Sequence, residues 1–309
     1  MGYTFKKMSY PRVSVQKGAT ETAMLRKLRS FLDKNEPGLV YLLMNLHQAQ
    51  GKAITYKELR EAIMAGEISA DLLDEWMQDY NKFVVDNLQP AWEKAMEAAV
   101  EDLQKKYPEW YFDPMAEGVR SWTENRAAEF VTSVTQNQIQ GLRAVVQRAA
   151  VLQDINVDTL ARAIRSMVGL YAAQSVANMR YFETLIKNGT SEKRALDLAA
   201  RYGARQSRYR AMMIARQELA MAYNTGADEA VRQAQAAGYM GEVVKIFSCA
   251  ADERTCPTCG ALEGKVIGMD EEFRVENKGR YKFTNLYPPV HIQCRCTVLY
   301  EEISPPIIR

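Results

Sequence analysis

Apolar residues recur at helical spacing through most of the chain. Leu25, Leu28, Phe31 and Leu32 stand three and four apart, which predicts an amphipathic helix that Pro37-Gly38 is expected to end. Thr55 and Glu58 form the Ser/Thr-x-x-Glu pattern of a capping box, so a helix is expected to start there. Ser69 is placed to cap the next one, which carries Leu72, Leu73, Trp76, Tyr80 and Phe83 on roughly one face. The pattern breaks at "YPEWYFDP", residues 107–114, where two prolines flank an aromatic cluster. Helical periods resume from 116 to 237, with Val157, Leu160, Ala161, Ile164, Val168 and Tyr171 on one stripe. Asn188-Gly189 predicts a stop followed by a cap at Thr190 or Ser191, and Gly226 and Gly238 predict two more stops.

After Gly238 the texture changes. "EVVKIFSCA" alternates and is β-branched, and "HIQCRCTVLYEE" also reads as a strand. The first stretch, "MGYTFKKMSYPRVSVQKGAT", has no period and reads as an extended arm. The expected organisation is an arm over residues 1–20, an N-terminal helical region over 21–112, a central helical domain over 113–240 and a C-terminal domain over 241–309. The last is too short for a large core of its own, a size at which a metal commonly stands in for apolar packing.

Composition narrows the function classes. With 309 residues, 47% hydrophobic and 25% charged, the chain is of ordinary soluble type, and its formal charge of +2 predicts no overall attraction to nucleic acid. The longest apolar run, residues 38–46, is too short to span a bilayer, and the N-terminal residues lack the apolar core of a secretory signal. No membrane anchor is expected, and synthesis and folding are expected in a cytosol.

The most specific signal is a set of cysteines and one histidine. Cys256 and Cys259 form C-x-x-C in "DERTCPTCG", a turn that aims two sulfurs at one position, with Gly260 expected to supply the turn's backbone freedom. Far downstream, "HIQCRC" adds His291, Cys294 and Cys296. A tetrahedral zinc site takes four such ligands. If Cys294 and Cys296 lie in a strand they point to one side, so geometry leaves both Cys₃His and Cys₄ open. Disulfides are disfavoured in a reducing compartment, and a redox C-x-x-C needs a βαβ setting that is lacking here. A full set of soft ligands leaves no open position for catalysis, so the zinc is read as structural. Cys249 is read as core. The fold class is therefore mainly α: an elongated helical body with a small zinc-binding α+β C-terminal domain.

Lys193 to Arg216 is rich in cations, and Arg201, Arg205 and Arg208 share a helix face that can meet DNA phosphates or an acidic partner; the plainer reading is a solvated face. Tyr202 and Tyr209 interleave with these arginines. His47 follows an apolar run and reads as a packed histidine. No phosphate loop, serine elbow or paired-carboxylate motif is present, and the chain does not read as an enzyme.

Three segments together resemble the C-terminal domain of the phage Mu F-like minor head proteins, a group that includes the SPP1-type head morphogenesis proteins. They are "MIARQELAMAYNTGADEAVRQA" (213–234), "VKIFSCAADERTCPTCGALEGKVIGMDEEF" (244–273) and "PPVHIQCRCTV" (288–298). Arg216 and Glu218 match the family's helix, Asp252, Cys256 and Cys259 its knuckle, and Leu262 and Gly264 its turn. Pro288, Pro289, His291, Cys294, Arg295 and Cys296 match its terminal motif, with Ile292 and Gln293 standing where Pro and Asn are commoner. The likeness covers about 155–300. It implies a minor head protein of a tailed bacteriophage, located in the capsid interior near the portal of the virion and made in the host cytoplasm. The implied partners are the portal protein and a capsid or scaffolding protein, with packaged DNA reached through the local basic face. The implied role is in procapsid assembly or genome packaging and delivery. The competing readings are a zinc-stapled DNA-binding module and a hydrolase using zinc or Asp252.

Overall fold

A proline inside a helix removes a backbone hydrogen bond and costs roughly 3 kcal/mol, yet helix α1 (Ala23–Ala53) continues through Pro37. The expected stop at Pro37-Gly38 is therefore overridden. Leu25, Leu28 and Leu32 before the proline and Leu39 and Leu43 after it are all buried. At about 1.5–3 kcal/mol for each such side chain, the uninterrupted stripe outweighs the break. In the computed structural model, residues 22–152, 154–250, 252, 255–275 and 283–306 are described. The arm expected over residues 1–20 lies outside them.

Helix α2 (Tyr56–Ala65) begins at the expected capping box: the Thr55 N–H donates to Glu58 Oε2 at 2.7 Å, and the Glu58 N–H donates to Thr55 Oγ1 at 3.2 Å. Ser69 stands at the cap position of α3 (Ala70–Phe83) without a side-chain cap bond. A π-turn, Val84–Leu88, joins α3 to α4 (Gln89–Lys106) just before Pro90, which has no N–H to offer. The break at 107–116 precedes α5 (Glu117–Ala150); α6 (Val157–Arg165) and α7 (Ala172–Lys187) follow. Gly189, with φ 76°, ends the turn after α7 as expected. Helix α8 (Glu192–Ala236) then includes Gly226, so the second expected stop is also overridden. A Cβ on Gly226 would lie 2.5 Å from the Met96 Cα, and the glycine serves close helix packing instead of termination.

The chain divides into two compact units. One takes the described residues of Pro37–Pro90 and Ser121–Ala215, the other those of Met1–Glu36, Ala91–Arg120 and Arg216–Arg309. The all-helical unit has an apolar core including Trp76, Leu142, Val145, Leu160, Ile164 and Phe182. It also buries a polar seam. His47 Nδ1 lies 3.2 Å from Ser207 Oγ, Gln138 Nε2 donates to Gln50 Oε1 at 3.0 Å, and the Tyr80 hydroxyl donates to Gln138. Gly169 has φ 87°, and a Cβ there would sit 2.6 Å from the His47 ring.

The other unit carries the C-terminal lobe. Strand β1 (Glu242–Ser248) lies between β2 (Val266–Gly268) and β5 (Thr297–Ser304) in an antiparallel sheet, with Phe247 opposite Val298 and Ile246 opposite Val266. A short helix, α9 (Pro257–Leu262), follows β1, and β3 (Phe273–Val275) pairs with β4 (Phe283–Asn285). The mainly helical class with a small C-terminal sheet thus agrees with the sequence reading. Lys245 of β1 is fully buried; its Nζ donates to the Glu271 carbonyl at 2.8 Å and the Leu286 carbonyl at 3.0 Å, tying two loops to the sheet. Burial lowers its pKa.

Candidate metal centre

The first half of the centre is the start of α9. Cys256 is its N-cap, with Pro257 following at the first helical position, where a missing N–H costs nothing. The Cys259 N–H donates to Cys256 Sγ at 3.3 Å and the Gly260 N–H to the Cys256 carbonyl at 2.9 Å, so one helical turn brings both sulfurs to the same side. The left-handed glycine is Gly264, with φ 71°, and Gly260 is helical, contrary to the role expected of it. Gly264 closes the turn into β2, its N–H donating to the Phe247 carbonyl at 2.9 Å.

The second half is a turn and not a strand. Residues 291–296 precede β5, which begins at Thr297, so the expected strand over the ligand segment is displaced. The Cys294 N–H donates to the His291 carbonyl at 3.1 Å, and Gln293 takes a φ of 65°. His291 and Cys294 thereby stand at the two ends of a tight turn, the counterpart of the Cys256–Cys259 turn.

The two turns face each other. His291 Nε2 is 3.0 Å from Cys256 Sγ and 3.1 Å from Cys259 Sγ; Cys259 and Cys294 sulfurs are 3.7 Å apart. The last distance is that of a tetrahedron edge, about 3.8 Å for metal–sulfur bonds of about 2.3 Å. The donors of Cys256, Cys259 and His291 lie within 4.8 Å of one another, and so do those of Cys259, Cys294 and Cys296, with Cys259 common to both groups. His291 Nδ1 is 2.8 Å from the Ile292 carbonyl, which can only accept, so Nδ1 carries a hydrogen and Nε2, on the sulfur side, is the nitrogen that could bind a cation once its proton is displaced. This donor set can hold a metal ion. Cys249 lies in the adjoining apolar core, as read from the sequence.

Without a cation the cluster shares protons unevenly. A hydrogen bond with Cys259, reinforced by His291, lowers Cys256 to about 4. Hydrogen bonds with Cys256, Cys294 and Cys296 push Cys259 up. Burial would raise Cys294, but bonds with Cys259 and Cys296 and the charge of His291 hold it well below the usual thiol value. Cys296, although its bond with Cys259 acts downward, is held well above that value by Cys294 and by burial. Burial lowers His291, but the bond with Cys256 and the charge of Cys294 outweigh it and raise the pKa to about 9. A bound cation replaces these shared protons, so its affinity falls as the pH falls.

Residues 143–299, half of the chain and the whole cysteine–histidine cluster with it, match the phage Mu protein F like family. The chain belongs to this family. It is thus a Mu F-like head morphogenesis protein, of a family of structural phage head proteins that interact with capsid components. No curated protein and no solved structure matches the chain. No helix among the described residues is long and apolar enough to cross a membrane.

Two Mu F-like motif residues that are not sulfur or imidazole, Asp252 and Arg295, pair beside the ligand segment. Arg295, between the two terminal cysteines, donates to Asp252 Oδ2 at 2.7 Å, and Arg29 of α1 reaches the same oxygen at 3.3 Å. Arg216 binds Glu36 through two bonds, at 2.8 and 2.9 Å. Asp252 is engaged by two guanidinium groups, an arrangement that tethers segments.

The cation-rich stretch of α8 separates by role. Arg201, Arg205 and Arg208 are exposed; Arg201 is 3.1 Å from Asp197, and Arg205 lies over the Tyr202 ring. Tyr202 packs edge-on against Tyr181, and Tyr209 is exposed. Arg210 is buried instead and donates to the carbonyls of Gly169 and Val134. Sequence reading missed the contacts that Asn224 and Thr225 make with the ligand segment. The available signal was the run Asn224-Thr225-Gly226, three weak helix formers inside an Ala-rich helix.

Proposed function

We propose that this Mu F-like protein is a minor head protein that works inside the capsid near the portal, in procapsid assembly or in genome packaging and delivery. The observation that carries the reading is the family match, whose range contains every candidate ligand from Cys256 to Cys296. The proposed location is the virion, and the proposed partners are the portal and a capsid or scaffolding protein.

The metal in this proposal is one structural zinc held by Cys256, Cys259, His291 and Cys294. Two turns with the same i, i+3 spacing, each supplying two donors, favour this Cys₃His set. Cys296 is the sulfur left beside it. Zinc supplies a staple between the knuckle and the terminal turn. Three of the cysteines in the donor cluster, Cys259, Cys294 and Cys296, are themselves part of the lobe's core, so a cation held there would tie that core together, and its loss would return protons to buried sulfurs. Structural zinc contributes an apparent 10–16 kcal/mol, by order of magnitude about that, in small zinc domains.

The test is co-isolation. In cells producing the phage, the tagged chain is expected to sediment with procapsids in low copy number and to crosslink to the portal protein. Procapsids and virions that lack the chain would overturn the reading.

A second reading is supported by the exposed Arg201, Arg205 and Arg208 with Tyr202 and Tyr209 nearby: a face that grips duplex DNA by its phosphates. It predicts binding that weakens steeply with salt and is lost when the three arginines are changed to Glu. Absence of binding at low salt would end it.

A further inference from the structure

Asn224, Thr225 and Gly226 interrupt an otherwise favourable helix sequence, glycine alone by about 1 kcal/mol relative to alanine. A local choice that opposes the surrounding structure points to a demand made elsewhere. For Gly226 that demand is the approach of Met96. For the other two it is the ligand segment.

Asn224 is 1% exposed, and both ends of its amide are engaged. Nδ2 donates to the Ala220 carbonyl of its own helix at 2.9 Å and to the Cys296 carbonyl at 3.4 Å; Oδ1 accepts from the Thr297 hydroxyl at 2.8 Å. Thr225, also 1% exposed, has its hydroxyl 2.9 Å from the Met221 carbonyl and 3.0 Å from the Tyr287 hydroxyl. The carbonyl can only accept, so the single hydroxyl hydrogen of Thr225 goes there and Tyr287 donates to Thr225. Tyr287 lies before the His291–Cys294 turn, and Cys296 and Thr297 lie after it. Two adjacent residues of α8 therefore hold both ends of the turn that presents the imidazole and a sulfur.

We infer that the Asn224–Thr225 pair is the positioning element of the metal centre: it fixes the separation of the ends of the ligand turn, so that His291 and Cys294 are aimed at Cys256 and Cys259 before a cation arrives. This rests on the metal reading above. It makes α8 part of the metal site, and the lobe from residue 241 onward an incomplete zinc module without that helix.

The test is the zinc affinity of the full chain, measured by competition with a chelating dye. Groups bonded directly to metal ligands typically contribute about 10–100-fold in metal affinity; acting one step further out, Asn224→Ala and Thr225→Val are each expected to weaken zinc by about the lower end of that range. Thr225→Ser keeps the hydroxyl and is expected to bind as the unsubstituted chain does. Asn178→Ala, another fully buried amide in the other unit, is expected to leave zinc affinity unchanged. Thr225→Val preserves volume, so with Thr225→Ser it decides the matter even where Asn224→Ala does not fold. An unsubstituted chain that takes up no zinc overturns the metal reading and this inference together. A chain that binds zinc, with Asn224→Ala and Thr225→Val binding equally tightly, overturns this inference alone.

Discussion

In the all-helical unit, Trp76, Val145, Leu160, Ile164 and Phe182 bury large apolar side chains from several helices against one another. In the C-terminal lobe the buried cluster is Phe247, Leu262, Ile267, Phe273, Val290 and Val298 together with Cys249, Cys259, Cys294 and Cys296. Beside its polar seam, the first interior has a hydrocarbon cluster that stands by burial, at about 25 cal/mol per Å². The second has sulfur where a larger domain would have hydrocarbon, and its sulfurs carry competing protonation demands. The proposed zinc would stand in the lobe for the apolar volume that the helical unit has, and the lobe's fold would then depend on it.

The largest expected effect is the loss of that cation. Cys259 belongs to both donor groups, so Cys259→Ser is expected to abolish metal binding and unfold the lobe, while the helical signal of the other unit persists. Circular dichroism with limited proteolysis checks this; a lobe that stays protease-resistant in the variant would break the comparison. Next in size is the reciprocal change. Phe182, fully buried in the helical core, should cost about 3–5 kcal/mol when changed to Ala and leave the metal content unchanged. Thermal unfolding and elemental analysis together test that independence.

The last effect, spread over several pH units, concerns His47. Burial, reinforced by the charge of Arg210, lowers its pKa to about 3 from an ordinary 6.5. Between those values the unfolded chain takes up a proton that the folded chain refuses, so the helical unit loses stability as the pH falls from about 6.5 towards 3. His47→Gln is expected to flatten that slope in urea titrations at successive pH values. An unchanged slope would show that another group sets it.

Features encoded within a few residues were legible in the sequence. The Thr55–Glu58 capping box, the stop at Asn188-Gly189 and the strand at β1 follow from local spacing, whereas the convergence of Cys256 and Cys259 with His291, Cys294 and Cys296 was legible only from ligand chemistry. Pro37 and Gly226 misled because their meaning is set at long range: buried leucines continue past the first, and Met96 fills the space over the second. The partners of His47 and Thr225, Ser207 and Tyr287, lie too far along the chain for any local pattern to reveal. The position of Cys294 relative to β5 was lost for a related reason. A β-branched run shows where a strand exists, but the strand's first residue depends on the turn that His291, Gln293 and Cys294 make before it.

Native mass spectrometry of the full chain, purified without chelators, tests the dependence of the lobe on a cation most directly. A mass increment of one zinc per chain is expected, lost on acidification together with protease resistance of the lobe. A metal-free mass with a protease-resistant lobe, and with Cys256, Cys259 and Cys294 open to alkylation, would contradict it.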